Sequence, residues 1–336
     1  MKTTVLLVNL GTPDSASTGD VRTYLTEFLN DERVIDINTV GRFVLVNGII
    51  VPFRAPKSAA LYKHIFTAEG SPLMFHGLAL KQKMQKALGE DYIVEFAMRY
   101  RNPSLKSVLA RIQKNGTHKL IVVPLYPQYA SSSTGSTLQK IYEIISKWQT
   151  MPSVSVVHQF HDDPGFINAF VENGKHFKME EYDHVVFSFH GLPERQIRKG
   201  DCHNHCLKDG CCNTLSEKNY SCYRAGCFST ARTLATRLNI PTEKYTISFQ
   251  SRLGRDPWIK PYTDDELKKL AKNGVKKILC FSPAFVADCL ETIHEIGTEY
   301  NELFQEHGGE KVQLVPSLNS NDTWVEALKN IVLRAV

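Results

Sequence analysis

The sequence predicts an α/β protein of two similar Rossmann-like lobes, each a parallel sheet flanked by helices, with a cleft between them. One observation is the run Val185-Val186-Phe187-Ser188-Phe189-His190-Gly191-Leu192-Pro193, a buried parallel strand that stops abruptly at a histidine. Another is an internal echo: Val5-Leu6-Leu7-Val8-Asn9-Leu10-Gly11-Thr12-Pro13 has the same form, an apolar strand closed by Gly-x-Pro. A second echo relates residues 115–124 to 273–283, where a helix ends at Asn-Gly and a buried strand follows. The halves divide near residue 150, into 1–150 and 151–336. The second half carries the chemistry and a cysteine-rich insert over 198–227.

The elements follow in α/β order. A first strand runs over residues 5–8. Val21, Leu25, Phe28 and Leu29 then form an apolar stripe at helical spacing after Thr12-Pro13-Asp14-Ser15. Residues 43–53, apolar all round and too short to span a bilayer, read first as core. The alternative is an exposed apolar lip touching membrane or an oily ligand. Leu105, Val108, Leu109 and Ile112 mark a helix after Asn102-Pro103-Ser104. Strand 120–123 runs into Tyr126-Pro127-Gln128-Tyr129 and the hydroxyl-rich stretch 131–136. In the second half, residues 198–227 lack apolar periodicity and read as a loop, with the next helix beginning near Ser229. Thr263-Asp264-Asp265-Glu266 reads as a capping box. Asp288, Glu291 and Glu295, at i, i+3 and i+7, put three carboxylates on one face of a helix. Trp324, Leu328 and Ile331 mark a closing amphipathic helix.

Composition narrows the function. Among 336 residues the net charge is +5, with the charges interspersed, which gives no ground for nucleic acid as a partner. The N-terminal apolar run is shorter than the ~7–15 residues of a secretory signal, and nothing approaches the ~20 apolar residues of a membrane span. A cytoplasmic protein is expected, with peripheral membrane contact at most. Six cysteines crowded into residues 202–227 then suggest metal rather than disulfides.

Candidate chemistry gathers at strand ends, where open α/β sheets bind ligands. His190 is base or metal ligand by type. The stretches 124–136, 250–258 (with Arg252, Arg255 and Trp258) and 283–292 bring aromatics, hydroxyls and arginines to the ends of their strands. Such a set suits a flat ligand bearing carboxylates. The insert, Cys202-x3-Cys206-x4-Cys211-Cys212-x9-Cys222-x4-Cys227, offers more thiolates than one four-ligand site needs. Its spacing fits either zinc or a 2Fe–2S cluster.

Residues 187–193, Pro124-Leu125-Tyr126-Pro127-Gln128-Tyr129, Gln250-Ser251-Arg252-Leu253-Gly254 with Trp258, Asp288-Cys289-Leu290-Glu291-Thr292 and the opening Asn9-Leu10-Gly11-Thr12-Pro13 together resemble the ferrochelatase family. The resemblance implies a chelatase-like fold and insertion of Fe²⁺ into protoporphyrin IX to give haem. Related metallation of coproporphyrin III or another tetrapyrrole, or non-catalytic tetrapyrrole or metal carriage, are the alternatives. It implies that His190 and Glu291 are the catalytic, iron-binding pair. Tyr126, Trp258 and Phe285 would wall the porphyrin, and Arg99, Tyr100 and residues 131–137 would contact the ring or its propionates. It favours a 2Fe–2S cluster over zinc, held by four of Cys206, Cys211, Cys212, Cys222 and Cys227, with Cys202, His203 and His205 in reserve. In one respect the chain departs from the pattern: Cys289 stands where some relatives carry a second histidine.

Overall fold

The computed structural model describes residues 3–254 and 256–336, so Arg255 of the 250–258 stretch lies outside the described residues. The chain forms two compact units. One comprises Met1–Tyr126, Ala130–Gln159 and Leu328–Val336; the other comprises Pro127–Tyr129 and Phe160–Ala327.

In the first unit, strands β1 (Thr3–Gly11), β2 (Tyr92–Tyr100), β3 (Lys119–Pro124) and β4 (Ser153–Val156) make a parallel sheet in the order β2-β1-β3-β4. In the second, β5 (His184–His190), β6 (Tyr245–Gln250), β7 (Lys277–Phe281) and β8 (Lys311–Leu314) repeat that order as β6-β5-β7-β8, again all parallel. The two pairs of similar segments, β1 with β5 and β3 with β7, therefore hold equivalent places in their sheets.

Each sheet is held by apolar burial on its faces. Leu6, Val8, Leu120 and Val122 pack with Val108, Leu109, Ile112 and Ile141 in the first unit. Val186, Ile278 and Cys280 pack with Leu267, Ile296, Phe304 and Val312 in the second. At about 1.5–3 kcal/mol for each large aliphatic or aromatic side chain buried, these clusters fix which face of each strand points inward.

Several sequence-based expectations change. Residues 43–53 are not core: they lie in a helical stretch from Thr39 to Ile65, with a π-helical segment at Leu45–Ile50. Val46 and Val51 are buried, but Val40, Phe43 and Phe53 are 75%, 63% and 73% exposed. A run apolar all round has more apolar faces than one sheet can cover. The helix expected near Ser229 begins at Tyr223, with Cys222 as its N-cap residue, so Cys227 is helical. Thr263 is the first residue of its helix rather than the cap, and its hydroxyl donates inward to Ser248 Oγ (2.9 Å). The expected carboxylate helix is a π-helix, Glu291–Tyr300, and Asp288 precedes it.

Candidate active site

The second unit's site is built where β5 ends. His190 is the last residue of the strand, paired in register with Gln250 of β6, and it is half-buried where six preceding residues are buried. Its Nδ1 lies 2.7 Å from the Gly191 carbonyl oxygen. A carbonyl only accepts, so Nδ1 carries the proton, and Nε2 is left with the lone pair available to a proton or metal. The main chain around it is tied down. Gly191 N–H donates to Gln250 O (2.8 Å), and the Tyr223 hydroxyl donates to His190 O (2.8 Å).

Two aromatic side chains named from sequence stand beside this histidine. The Phe285 ring centroid is 6.3 Å from that of His190. Trp258 backs onto Gly191, where a Cβ would come within 3.1 Å of its ring and 2.8 Å of Gln250 O. Only glycine fits there. Trp258 Nε1–H donates to Leu253 O (2.8 Å), which fixes the indole edge.

Gln250 was quoted from sequence only as part of a motif, and its role depends on strand register. Its side chain is buried: Oε1 accepts from Ser188 Oγ (2.8 Å), while Nε2 donates to Glu291 O and to Glu295 Oε2, both at 2.9 Å. One amide thus joins the end of β5 to the first turn of the π-helix. Glu295 also accepts from Ser251 Oγ (2.5 Å) and Tyr300 Oη (3.0 Å). Burial, with the Glu295 charge beside it, pushes the Tyr300 phenol far up, so it remains a donor.

Four residues apart, Glu291 and Glu295 fall on one side of the π-helix. Asp288 does not join them. Its carboxylate accepts from Thr292 Oγ1, Ser317 N–H and Asn319 Nδ2, so it serves as a structural cap. The Cys289 thiol is buried and contacts the Glu291 carboxylate; burial first, then that charge, pushes it well up and keeps it protonated. His190 and Glu291 therefore stand at the carboxyl edge of one sheet.

Tyr126, Arg99 and Tyr100 belong to the first unit. Tyr126 is half-buried with its hydroxyl 3.4 Å from Thr137 Oγ1. Arg99 is already engaged, donating to Asp31 Oδ2 (2.5 Å) and Ser136 Oγ (2.7 Å). Tyr100 is fully buried, with its hydroxyl on the same Asp31. In this structure the two satisfy a buried carboxylate, and Ser136, in the helical start over 131–137, completes the network. In the second unit, Arg252 is likewise committed to Asp264 (2.7 Å).

In the cysteine-rich insert Cys211 and Cys212 are buried with their sulfurs 3.6 Å apart, Cys206 and Cys222 are half-buried, and Cys202 is exposed. Burial, then the Cys222 thiol, Asp201 and Cys211, drive Cys206 far up. Cys212 is pushed up to about 12, chiefly by burial, although Arg224 Nη1 donates to its sulfur at 3.0 Å. Asn219 is buried and holds the loop from within, donating to Cys211 O and Thr214 O. Cys227 is fully buried against the Tyr223 hydroxyl. Among the described residues no three His, Cys, Asp or Glu side chains converge on a single ion position.

A family model described as Ferrochelatase matches residues 2–336. The chain is 43% identical over 332 residues to a ferrochelatase of Legionella pneumophila (strain Lens), covering 99% of each chain. It is 44% identical over 331 residues to one of Opitutus terrae, covering 98% of this chain and 96% of the relative. SirB from Bacillus subtilis, solved with Fe³⁺, shares the fold, with a TM-score of 0.54 at 14% identity over 100% of this chain and 96% of its own. With the residues at the end of β5 and along the π-helix in place, the chain belongs to the ferrochelatase family.

Proposed function

We infer that this chain is a ferrochelatase, a lyase of haem biosynthesis that inserts Fe²⁺ into protoporphyrin IX. The observation that carries the reading is the tautomer of His190: Nδ1–H is committed to Gly191 O, leaving Nε2 as acceptor beside Phe285. Metallation of the ring releases two pyrrole protons as Fe²⁺ binds four nitrogens. Nε2 is the base that takes protons from the macrocycle, and Glu291 supplies a carboxylate to pass metal or protons on. Phe285 and Trp258 offer apolar surface to the ring. Cys289, a protonated thiol on Glu291, stands in for the imidazole of some relatives as a hydrogen-bonding neighbour of that carboxylate. The test is anaerobic mixing of protein, Fe²⁺ and protoporphyrin IX with absorbance followed over time. His190→Ala should abolish turnover while porphyrin still binds; undiminished turnover would refute the role given to His190. Coproporphyrin III in the same assay separates the alternative substrate.

The insert suits a 2Fe–2S cluster. Cys206, Cys211, Cys212 and Cys222 supply four soft donors, and burial together with the neighbouring thiols raises the proton affinity of Cys206 and Cys212; a bound cluster would replace those protons. Cys227 is engaged by Tyr223 instead.

The exposed Val40, Phe43 and Phe53 support peripheral contact with a membrane, from which a poorly soluble porphyrin would be drawn. Among the described residues, no helix is long and apolar enough to cross one.

A further inference from the structure

The first turn of the helix Tyr223–Arg237 faces two ways. Cys222, its N-cap residue, belongs to the thiol-rich insert. Arg224 bonds the Cys212 sulfur and also donates from Nε and Nη2 to Lys260 O, in the loop that carries Trp258. Between them Tyr223 is buried, and its hydroxyl donates to the main-chain carbonyl of His190 at 2.8 Å.

We propose that Tyr223 is a positioning residue for the base, fixing the His190–Gly191 peptide so that Gly191 O stays within 2.7 Å of Nδ1 and Nε2 remains the free nitrogen. The inference rests on the role given to His190 above. β5 ends at His190, paired in register with Gln250 of β6, and the chain turns away there. The His190–Gly191 peptide is held on both sides, by Gly191 N–H on Gln250 O (2.8 Å) and by the phenol on His190 O (2.8 Å). Without the phenol it keeps the first bond and can rock about it, and Gly191, with no side chain to resist, passes that motion to the next carbonyl, the one that holds Nδ1. Burial pushes the Tyr223 phenol well above its ordinary value, so it donates at every pH the enzyme meets. Cys227, on the same turn, is buried against the phenol. The order of the insert thereby reaches the base through one residue.

The decisive experiment compares Tyr223→Phe, which keeps the ring and removes the hydroxyl, with His190→Ala. The expected result is a fall of about tenfold in kcat, the size of one lost hydrogen bond, with KM for porphyrin within about twofold of wild type. The double variant should be no slower than His190→Ala alone. Wild-type kcat in Tyr223→Phe, or a rise in KM as large as the fall in kcat, would overturn the proposal. Nitrogen-15 spectra of the histidines in the wild-type protein, with His190 assigned by its loss in His190→Ala, give an arm independent of how Tyr223→Phe folds. Nδ1–H supports the proposal and Nε2–H overturns it. If His190→Ala itself retains full turnover, the role of His190 fails first, and the two failures are told apart.

Discussion

Replacing Gln250 by Leu tests whether one buried amide holds the acidic π-helix to the end of β5. The side chain is about 1% exposed and makes three bonds of 2.9 Å or shorter, beside a longer one from Ser282 Oγ to Oε1 (3.5 Å). The one to the Glu295 carboxylate is charge-assisted, worth about 1.5–3 kcal/mol, and the two neutral ones about 0.5–1.5 kcal/mol each. Leucine recovers part of this through apolar burial. Ser188 keeps Thr263 as a partner (3.0 Å), and Glu295 keeps Ser251 and Tyr300. The net cost should be about 2–3 kcal/mol, or roughly 5–10 °C in melting temperature for a unit of this size. Turnover should fall further than stability alone explains, since the first turn of the π-helix is no longer anchored. Gln250→Glu should be worse at neutral pH, setting a second carboxylate against Glu295, and should recover as the pH falls and one of the pair takes a proton. Melting followed by circular dichroism, beside initial rates of porphyrin metallation, gives both readouts. A Gln250→Leu protein melting within a degree of wild type with full turnover would refute the anchoring.

Further outcomes follow from other parts of the chain. Glu95 is buried in the first unit and accepts from Arg111 (2.8 and 2.7 Å) and Lys81 (3.1 Å); these bonds outweigh burial and hold its carboxyl below the ordinary 4.5. Its stabilising effect is therefore full above pH 4.5 and lost as the pH falls through the lower folded value. Glu95→Gln should cost about 1–3 kcal/mol at pH 7 by denaturant titration, with a flatter acid limb, and an unaltered acid limb would count against this account. Protein purified anaerobically should contain iron and acid-labile sulfide, and a chelator that removes them should lower the melting temperature; zinc without sulfide would overturn the cluster. Phe43→Ser with Phe53→Ser should reduce co-sedimentation with phospholipid vesicles while leaving turnover of detergent-dispersed porphyrin intact, and equal sedimentation would remove the lip from the membrane.

What could be read from the chain alone was the part governed by short periods. Alternation and apolar runs placed β1, β3, β5, β6 and β7, because a strand buried on both faces leaves an unmistakable run of Val, Leu, Ile and Phe. His190 could be named because it ends such a run, and Glu291 because it lies in a spaced row of carboxylates and in a stretch that resembles the family. The hydrogen bonds of Gln250 and Tyr223 could not. The first exists only because β5 and β6 pair in one particular register, and the second joins residues 33 apart in sequence. The bonds of Arg99 and Tyr100 to Asp31 were hidden for a related reason: Asp31 is 68 residues away from Arg99, and no local pattern announces it. The exposed lip ranked second to core because periodicity reports how many faces are oily, never how many the fold has surface to cover.

The π-helix makes the length of its segment matter more than most of its letters. Relative to ordinary winding, a wide turn behaves as an extra residue absorbed without breaking the rod. Deleting a single position between Glu291 and Tyr300 would let the segment relax to 3.6 residues per turn, turning the residues inside the wide turns against one another while the helix after them keeps its place. Evolution can therefore exchange side chains along this rod piecemeal, but an indel there would point its acids somewhere else in one stroke.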